Sequence, residues 1–252
     1  MKSYDWEDPS VFGRNREAPH CTSIPYADME SALKNHPQDS PFYESMNGVW
    51  KFNWVRKPSE RPEGFFKEEY EVDHWADINV PGNWELQGFG VPIYTDTDYP
   101  FPANPPHIPH EYNPVGSYRR FFTISDAWAD RQVFLHFGGV KSAMYVWVNG
   151  KEVGYSQGSK TPAEFNITQY VRKGKNALAV EVYRWSDGAY LEDQDYWKVS
   201  GIERGVYLFA TPQVHIRDFF VKAGLDKMYS DGILSVDVCI RSHLSKGVTS
   251  SQ

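Results

Sequence analysis

The sequence predicts an all-β fold, a β-sandwich or jelly roll, on three observations. Short apolar–polar alternations of period two recur along the chain, no helical period is sustained between them, and 17 Pro and 19 Gly supply turns. The 252 residues, 40% hydrophobic and 23% charged, suffice for one large sandwich, or for a sandwich plus part of another domain.

Residues 1–40 read as an irregular arm, because Pro9, Pro19, Pro25 and Pro37 break any helix and no alternation lasts. Such an arm needs a surface to lie on. Strand patterning starts near residue 41, where Trp50, Phe52 and Trp54 alternate with Lys51 and Asn53 as a half-buried strand. Residues 59–76 are mixed, with a short helical turn expected near Trp75. Residues 81–116 are dense in Pro and Gly and lack periodicity, and so long an irregular stretch inside a compact domain is usually functional.

Residues 118–124, 133–137, 144–148 and 177–183 then alternate as strands, and 206–209 closes the set. The third of these places Met144, Val146 and Val148 on one face and Tyr145 and Trp147 on the other. It ends at Asn149-Gly150, the strongest short hairpin signal. After Thr211-Pro212 the pattern restarts, with strands at 214–221 and 233–240 around Tyr229-Ser230-Asp231-Gly232. Two strands cannot close a sandwich. They either join the first sheet or open a second domain, and the second is the expectation.

Composition excludes several classes of function. A formal charge of -7 argues against nucleic acid, which needs clustered Lys and Arg. No run approaches the ~20 apolar residues of a membrane helix. The first eight residues carry no apolar signal core, so a cytoplasmic location is expected, or a periplasmic one if a leader precedes Met1. Cys21 and Cys239 read as two unrelated thiols. The sequence has no CxxC, no glycine-rich phosphate loop and no nucleophile elbow. The excess is aromatic: 16% Phe, Trp and Tyr, with nine Trp. Flat rings stack on the C–H faces of sugars, though each single ring is more readily a core residue.

The sharpest segment runs from Arg184 to Trp197 and packs Asp187, Glu192, Asp193 and Asp195 among aromatics directly after a strand. Neighbouring carboxylates repel unless a cation, a hydroxyl or a basic partner compensates. The pattern suits a metal or polyol site, a glycosidase acid and base, or a solvated acidic loop neutralised by Arg184, Lys198 or Arg204. Tyr94-Thr95-Asp96-Thr97-Asp98-Tyr99 is a second acidic loop, which alone reads as a turn before Pro100. His107 and His110 have i, i+3 spacing but no helix to align them on a metal.

With these segments in view, the chain resembles the N-terminal region of the bacterial β-galactosidases of glycoside hydrolase family 2. The resemblance rests on Asp5-Trp6-Glu7-Asp8-Pro9, Met46-Asn47-Gly48-Val49-Trp50, Val80-Pro81-Gly82-Asn83-Trp84, Pro92-Ile93-Tyr94-Thr95 and Asn104-Pro105-Pro106. It continues through Phe137-Gly138-Gly139-Val140-Lys141-Ser142-Ala143, Val148-Asn149-Gly150, Gly154-Tyr155-Ser156-Gln157, the Arg184 to Trp197 segment and Ser200-Gly201-Ile202. The motifs are collinear over nearly the whole chain.

The resemblance implies a galactose-binding-domain-like jelly roll at 41–211, then the first strands of an incomplete immunoglobulin-like sandwich at 212–252. It implies a parent enzyme that hydrolyses terminal β-D-galactosides, assembles as a homo-oligomer and carries both catalytic Glu residues in a barrel that this chain lacks. No residue here is therefore assigned as catalytic. A freestanding carbohydrate-binding module, or a split-gene piece inactive alone, is the alternative. The resemblance assigns Asp195 to the galactose pocket and to a sodium ion, and Asp96 to the sugar where the family usually has Asn. It assigns Asp5, Asp8, the Val11 carbonyl, Gln157 and Asp187 to a peripheral magnesium ion, with Asp8 replacing a family Asn.

Overall fold

A computed structural model describes residues 4–244 of the chain. Two antiparallel sheets share one core. The larger has seven strands in the spatial order Gly13–Arg14, Lys151–Gln157, Ala143–Val148, Gly174–Tyr183, Val115–Ile124, Gly48–Val55 and Ala76–Val80. The smaller has four, in the order Ala163–Asn166, Gln132–Phe137, Val206–Thr211 and Tyr43–Ser45. The expected alternation builds the core between them. Trp50, Phe52, Tyr118, Met144, Val146, Val148, Leu178 and Val180 face Leu135, Phe137, Phe165, Val206 and Leu208. Burying each large apolar side chain contributes roughly 1.5–3 kcal/mol, so this face-to-face stack dominates the fold's stability. Asn149 and Gly150 sit at φ 50° and 77°, the left-handed pair that a two-residue hairpin needs.

The opposite face of the large sheet is also covered. Trp147 packs with Phe65, Val72 and Trp75, and Tyr183 and Tyr155 pack with Trp6, Ile108 and Trp185. The arm and the long irregular loops thus fold over the sheet and bury a second layer. Their backbone is less irregular than expected. A helix spans Met29–Lys34 between Pro25 and Pro37, because eleven residues without proline leave room for it. The Asp28 carboxylate caps it by accepting from Ser31 N–H, and Asn35 ends it in the left-handed conformation. Gly13–Arg14 adds an edge strand to the large sheet. Near Trp75 there is a hydrogen-bonded turn, Trp75 N to Val72 O at 2.9 Å, and the short 3-10 helix of this region lies at Pro58–Glu60 instead.

The last two strands, Val214–Leu225 and Gly232–Ser242, pair with each other and with neither sheet. Phe220, Val221, Leu234, Val236, Val238 and Ile240 are exposed on this hairpin. Cys21 and Cys239 are separate, exposed thiols. No described helix is long and apolar enough to cross a membrane.

Candidate functional site

Two segments about a hundred residues apart meet in a separate two-stranded ribbon. Ile93–Thr95 pairs antiparallel with Tyr196–Lys198, in the register Thr95 with Tyr196, Tyr94 with Trp197 and Ile93 with Lys198. The next residue on each strand is a carboxylate, so Asp96 and Asp195 leave the same end of this ribbon, and both are exposed. The Tyr94 hydroxyl donates to Asp195 Oδ1 at 2.5 Å. That bond, with the negative charge of Asp195 and then of Asp96, holds the Tyr94 phenol above its ordinary value, so it stays a donor. Asp96 Oδ1 accepts from its neighbour Thr97 N–H at 2.7 Å, which fixes the turn. Tyr94 and Trp197 are both more than half exposed, with ring centroids 5.6 Å apart. Sheet pairing therefore brings together two acidic acceptors and two open aromatic faces, the chemistry that recognises a sugar.

Buried charges fix the base of the ribbon. Arg184 is fully buried, and its Nη2 donates to Val91 O at 2.9 Å and Lys198 O at 3.0 Å, one carbonyl from each side of the ribbon. Its Nη1 lies 3.7 Å from Glu85 Oε1. Glu85 also accepts from Ser200 N–H at 2.8 Å and from the Trp84 indole at 2.5 Å. Burial pushes the Glu85 carboxyl up, against the opposing pull of those donors and of Arg184. Behind the ribbon, Lys141 Nζ donates to the Tyr196 hydroxyl at 2.8 Å, and Lys198 pairs with Asp193 at 2.8 Å. Burial, reinforced by Lys160, brings the Lys141 ammonium down to about 8.

The remaining carboxylates of the acidic segment are used structurally. Glu192 accepts from Ser159 N–H at 2.9 Å, and Asp187 Oδ1 accepts from Gln157 Nε2 at 2.8 Å. Of the three cations expected to neutralise the segment, Lys198 does so; Arg184 pairs with Glu85, and Arg204 donates to the Lys160 carbonyl. His107 and His110 do not converge: His110 meets Glu7 Oε1 at 2.9 Å, and the His107 carbonyl accepts from Tyr190.

The residues assigned to magnesium lie on the arm, at the end of the strand Lys151–Gln157 and in the 3-10 helix Asp187–Tyr190. Asp187 Oδ2 is buried without a partner, which is what a missing hard cation would leave behind. Asp5 accepts from Arg14 at 2.6 Å and Tyr145 at 2.9 Å, and Asp8 turns back on Ser10. Val11 N–H donates to the Asp8 carbonyl. Among the described residues no three His, Cys, Asp or Glu side chains gather for a metal. Within this set Asp187 Oδ2 is the buried oxygen left open, Gln157 turns its Nε2 donor toward the other Asp187 oxygen, and Asp5 is already neutralised by Arg14. Sequence reasoning missed Tyr94, Glu85 and Lys141. A Tyr two residues before Asp96 was the available signal for the first, and the other two act through pairings that no local pattern announces.

Residues 43–212 match the model of the glycosyl hydrolases family 2 sugar binding domain. The chain is 48% identical over 244 residues to a β-galactosidase of Priestia megaterium, covering 95% of this chain and 24% of that protein. It is 42% identical to a β-galactosidase of Clostridium acetobutylicum, covering 94% of this chain and 27% of that protein. The chain thus spans about a quarter of the length of these curated relatives. Among solved structures, a β-glycosidase from Bacteroides vulgatus superposes with a TM-score of 0.60 at 23% identity, covering 81% of this chain and 25% of that one. A β-glucuronidase of Bacteroides uniformis superposes at 0.57 with 25% identity, covering 72% and 20%.

Proposed function

Because the chain belongs to glycosyl hydrolase family 2, as its sugar-binding domain, we propose that it forms one wall of a galactose pocket in a longer polypeptide that hydrolyses terminal β-D-galactosides. The observation that carries this reading is the ribbon pairing that sets Asp195 beside Asp96, with Tyr94 holding Asp195 in place. Asp195 accepts from a sugar hydroxyl and supplies one anionic ligand to a sodium ion. Asp96 keeps the acceptor of an amide at that position but lacks its donor, so its contact to sugar is one-sided. A hard cation at Asp187 and Gln157 ties the arm to the sheet edge. The barrel of the same polypeptide supplies both catalytic carboxylates of a retaining mechanism and closes the pocket, within a homo-oligomer.

The pure chain is expected to hydrolyse no aryl β-galactoside, and measurable turnover by it would overturn the assignment of chemistry to the barrel. In a polypeptide of the relatives' length carrying this chain, Asp195→Asn is expected to lower kcat/KM for an aryl β-galactoside by at least roughly tenfold, the loss of one charge-assisted bond. It should also blunt the response to sodium. An Asp195→Asn enzyme with unchanged kcat/KM and sodium response would remove Asp195 from the pocket. The exposed apolar rows of the hairpin favour this reading over a freestanding module, since a solitary binding domain has no reason to leave them uncovered.

A further inference from the structure

Behind the ribbon stands a cluster of charges that makes no contact with the proposed pocket. Three ammonium groups surround the Tyr196 ring, with Lys141, Lys198 and Lys160 Nζ at 4.6, 4.9 and 5.5 Å from its centroid. Two of them have carboxylate partners: Lys198 pairs with Asp193 at 2.8 Å, and Lys160 with Glu203. Lys141 has no such partner among the described residues. It is buried, and its ammonium makes one hydrogen bond, to the Tyr196 hydroxyl at 2.8 Å. Burying an ammonium costs free energy that a single neutral acceptor offsets poorly. Buried charges of this kind concentrate at functional sites.

Backbone pairing places both ends of this contact. Lys141 belongs to the short strand Val140–Lys141, which pairs with Gly201–Ile202, and that strand pairs in turn with Gly82–Asn83. Tyr196 opens the strand Tyr196–Lys198 of the ribbon, opposite Thr95. Side chains alternate along a strand. Trp197 lies against Tyr94 on one face of the ribbon, and Asp195 reaches that face too, where it accepts from the Tyr94 hydroxyl. Tyr196 and Lys198 point the other way, toward Lys141 and Asp193. Asp195 is therefore held twice. Tyr94 grips its carboxylate, and its backbone is joined to a residue whose phenol is fastened to Lys141. Consecutive Cα atoms are ~3.8 Å apart, so a swing of Tyr196 carries Asp195 with it.

Given Asp195 as a pocket residue, the reading on which this rests, we propose that Lys141 and Tyr196 are positioning residues for the galactose pocket. Their hydrogen bond sets where Asp195 stands relative to sodium and sugar, and neither side chain touches the ligand. The cation–π contacts of Lys160 and Lys198 hold the Tyr196 ring without fixing its tilt, because such contacts tolerate a range of angles. The bond from Lys141 to the hydroxyl is the directional one. A displacement of about 1 Å at a binding group is enough to cost as much as a hundredfold in rate, so a small loss of this anchor has a large effect.

The test varies sodium in an aryl β-galactoside assay of a polypeptide of the relatives' length carrying this chain. Tyr196→Phe removes only the hydroxyl, and Lys141→Met removes the ammonium at similar volume. Each is expected to raise KM and the sodium concentration for half-maximal activity by at least roughly threefold, with kcat changing less. The double variant should show the same shift as either single one, because all three lack one and the same bond. Urea unfolding of the 252-residue chain supplies the contrast. There each single variant should lose stability and the double variant should recover most of it, since removing both partners leaves no buried group unsatisfied. A purely structural role requires the sodium response to recover along with the stability. A sodium response unchanged in Tyr196→Phe, or restored in the double variant, would overturn the proposal, and Tyr196→Phe alone decides it if Lys141→Met does not fold. Asp195→Asn, assayed alongside, separates the two readings. An impaired Asp195→Asn beside a normal Tyr196→Phe sinks the positioning role alone, and an unimpaired Asp195→Asn sinks both.

Discussion

Replacing Arg184 by Met should be among the most damaging single changes in the chain, and its cost can be reckoned from its neighbours. Arg184 and the Glu85 side chain are both fully buried, and Arg184 Nη2 bridges the carbonyls of Val91 and Lys198. Methionine fills the volume but leaves Glu85 charged or forced to take up a proton, with two carbonyls short of a donor. Removing one partner of a buried pair typically costs about 3–5 kcal/mol, a large part of the ~5–15 kcal/mol that holds a domain folded. The partial compensation of Glu85 by Ser200 N–H and the Trp84 indole argues for the lower half of that range. Adding Glu85→Gln removes the stranded charge and should return about 1–2 kcal/mol, a coupling that a double-mutant cycle isolates. Glu85 is already pushed up by burial, and losing Arg184 pushes it further. A carboxyl raised in the folded state favours folding below its unfolded value, and that help fades as pH rises through the folded one. The defect of Arg184→Met should therefore grow from pH 5 to pH 8. Urea unfolding followed by Trp fluorescence measures all three proteins. A cost below about 1 kcal/mol, or strict additivity with Glu85→Gln, would refute the claim that this pair carries the base of the ribbon.

Three further outcomes follow from the same structure. Glu164→Gln should cost up to about 3 kcal/mol at pH 6, since its carboxyl is held at about 2 against an ordinary 4.5. A depressed carboxyl stabilises above its unfolded value, so urea midpoints of mutant and wild type should converge as pH falls from 4.5 toward 2. Gly116→Ala should destabilise by about 1–3 kcal/mol in thermal unfolding, because a Cβ there would meet Trp84 and Phe52 carbons at 2.5 and 2.6 Å. Trp6→Ala should cost about 3–5 kcal/mol and expose the arm to protease, since Trp6 is buried and stacks on Tyr183 at 5.3 Å.

The sandwich was legible wherever a strand alternates on its own. The period-two runs at 144–148 and 177–183 lie inside Ala143–Val148 and Gly174–Tyr183, paired with each other. Lys151–Gln157 was missed because Gly154 interrupts its apolar pattern. That glycine is required: a Cβ would lie 2.3 Å from the Arg14 carbonyl, so its absence lets the arm's short strand pair at the sheet edge. Ala163–Asn166 escaped because four residues with a Glu in second place look solvated, yet Glu164 is buried among histidines. The turn-rich loops showed their irregularity but not their pairings, which join residues about a hundred positions apart by backbone bonds that leave no local pattern.

The acidic segment shows why spacing alone left its reading open. Four carboxylates within nine residues of sequence do not share one environment, because the chain turns between them. Asp187 is buried against Gln157, Glu192 is taken by Ser159, and Asp193 is neutralised by Lys198. Each is met from a different strand or loop, although Asp187 keeps one buried oxygen, Oδ2, without a partner. Asp195 alone is exposed, and its partner is a neutral phenol that orients the carboxylate without cancelling its charge. An acid paired with a buried lysine has its charge cancelled. An acid held by Tyr94 at the surface keeps both its charge and its remaining acceptor positions, and that difference is why Asp195 is the carboxylate we propose for sugar and cation.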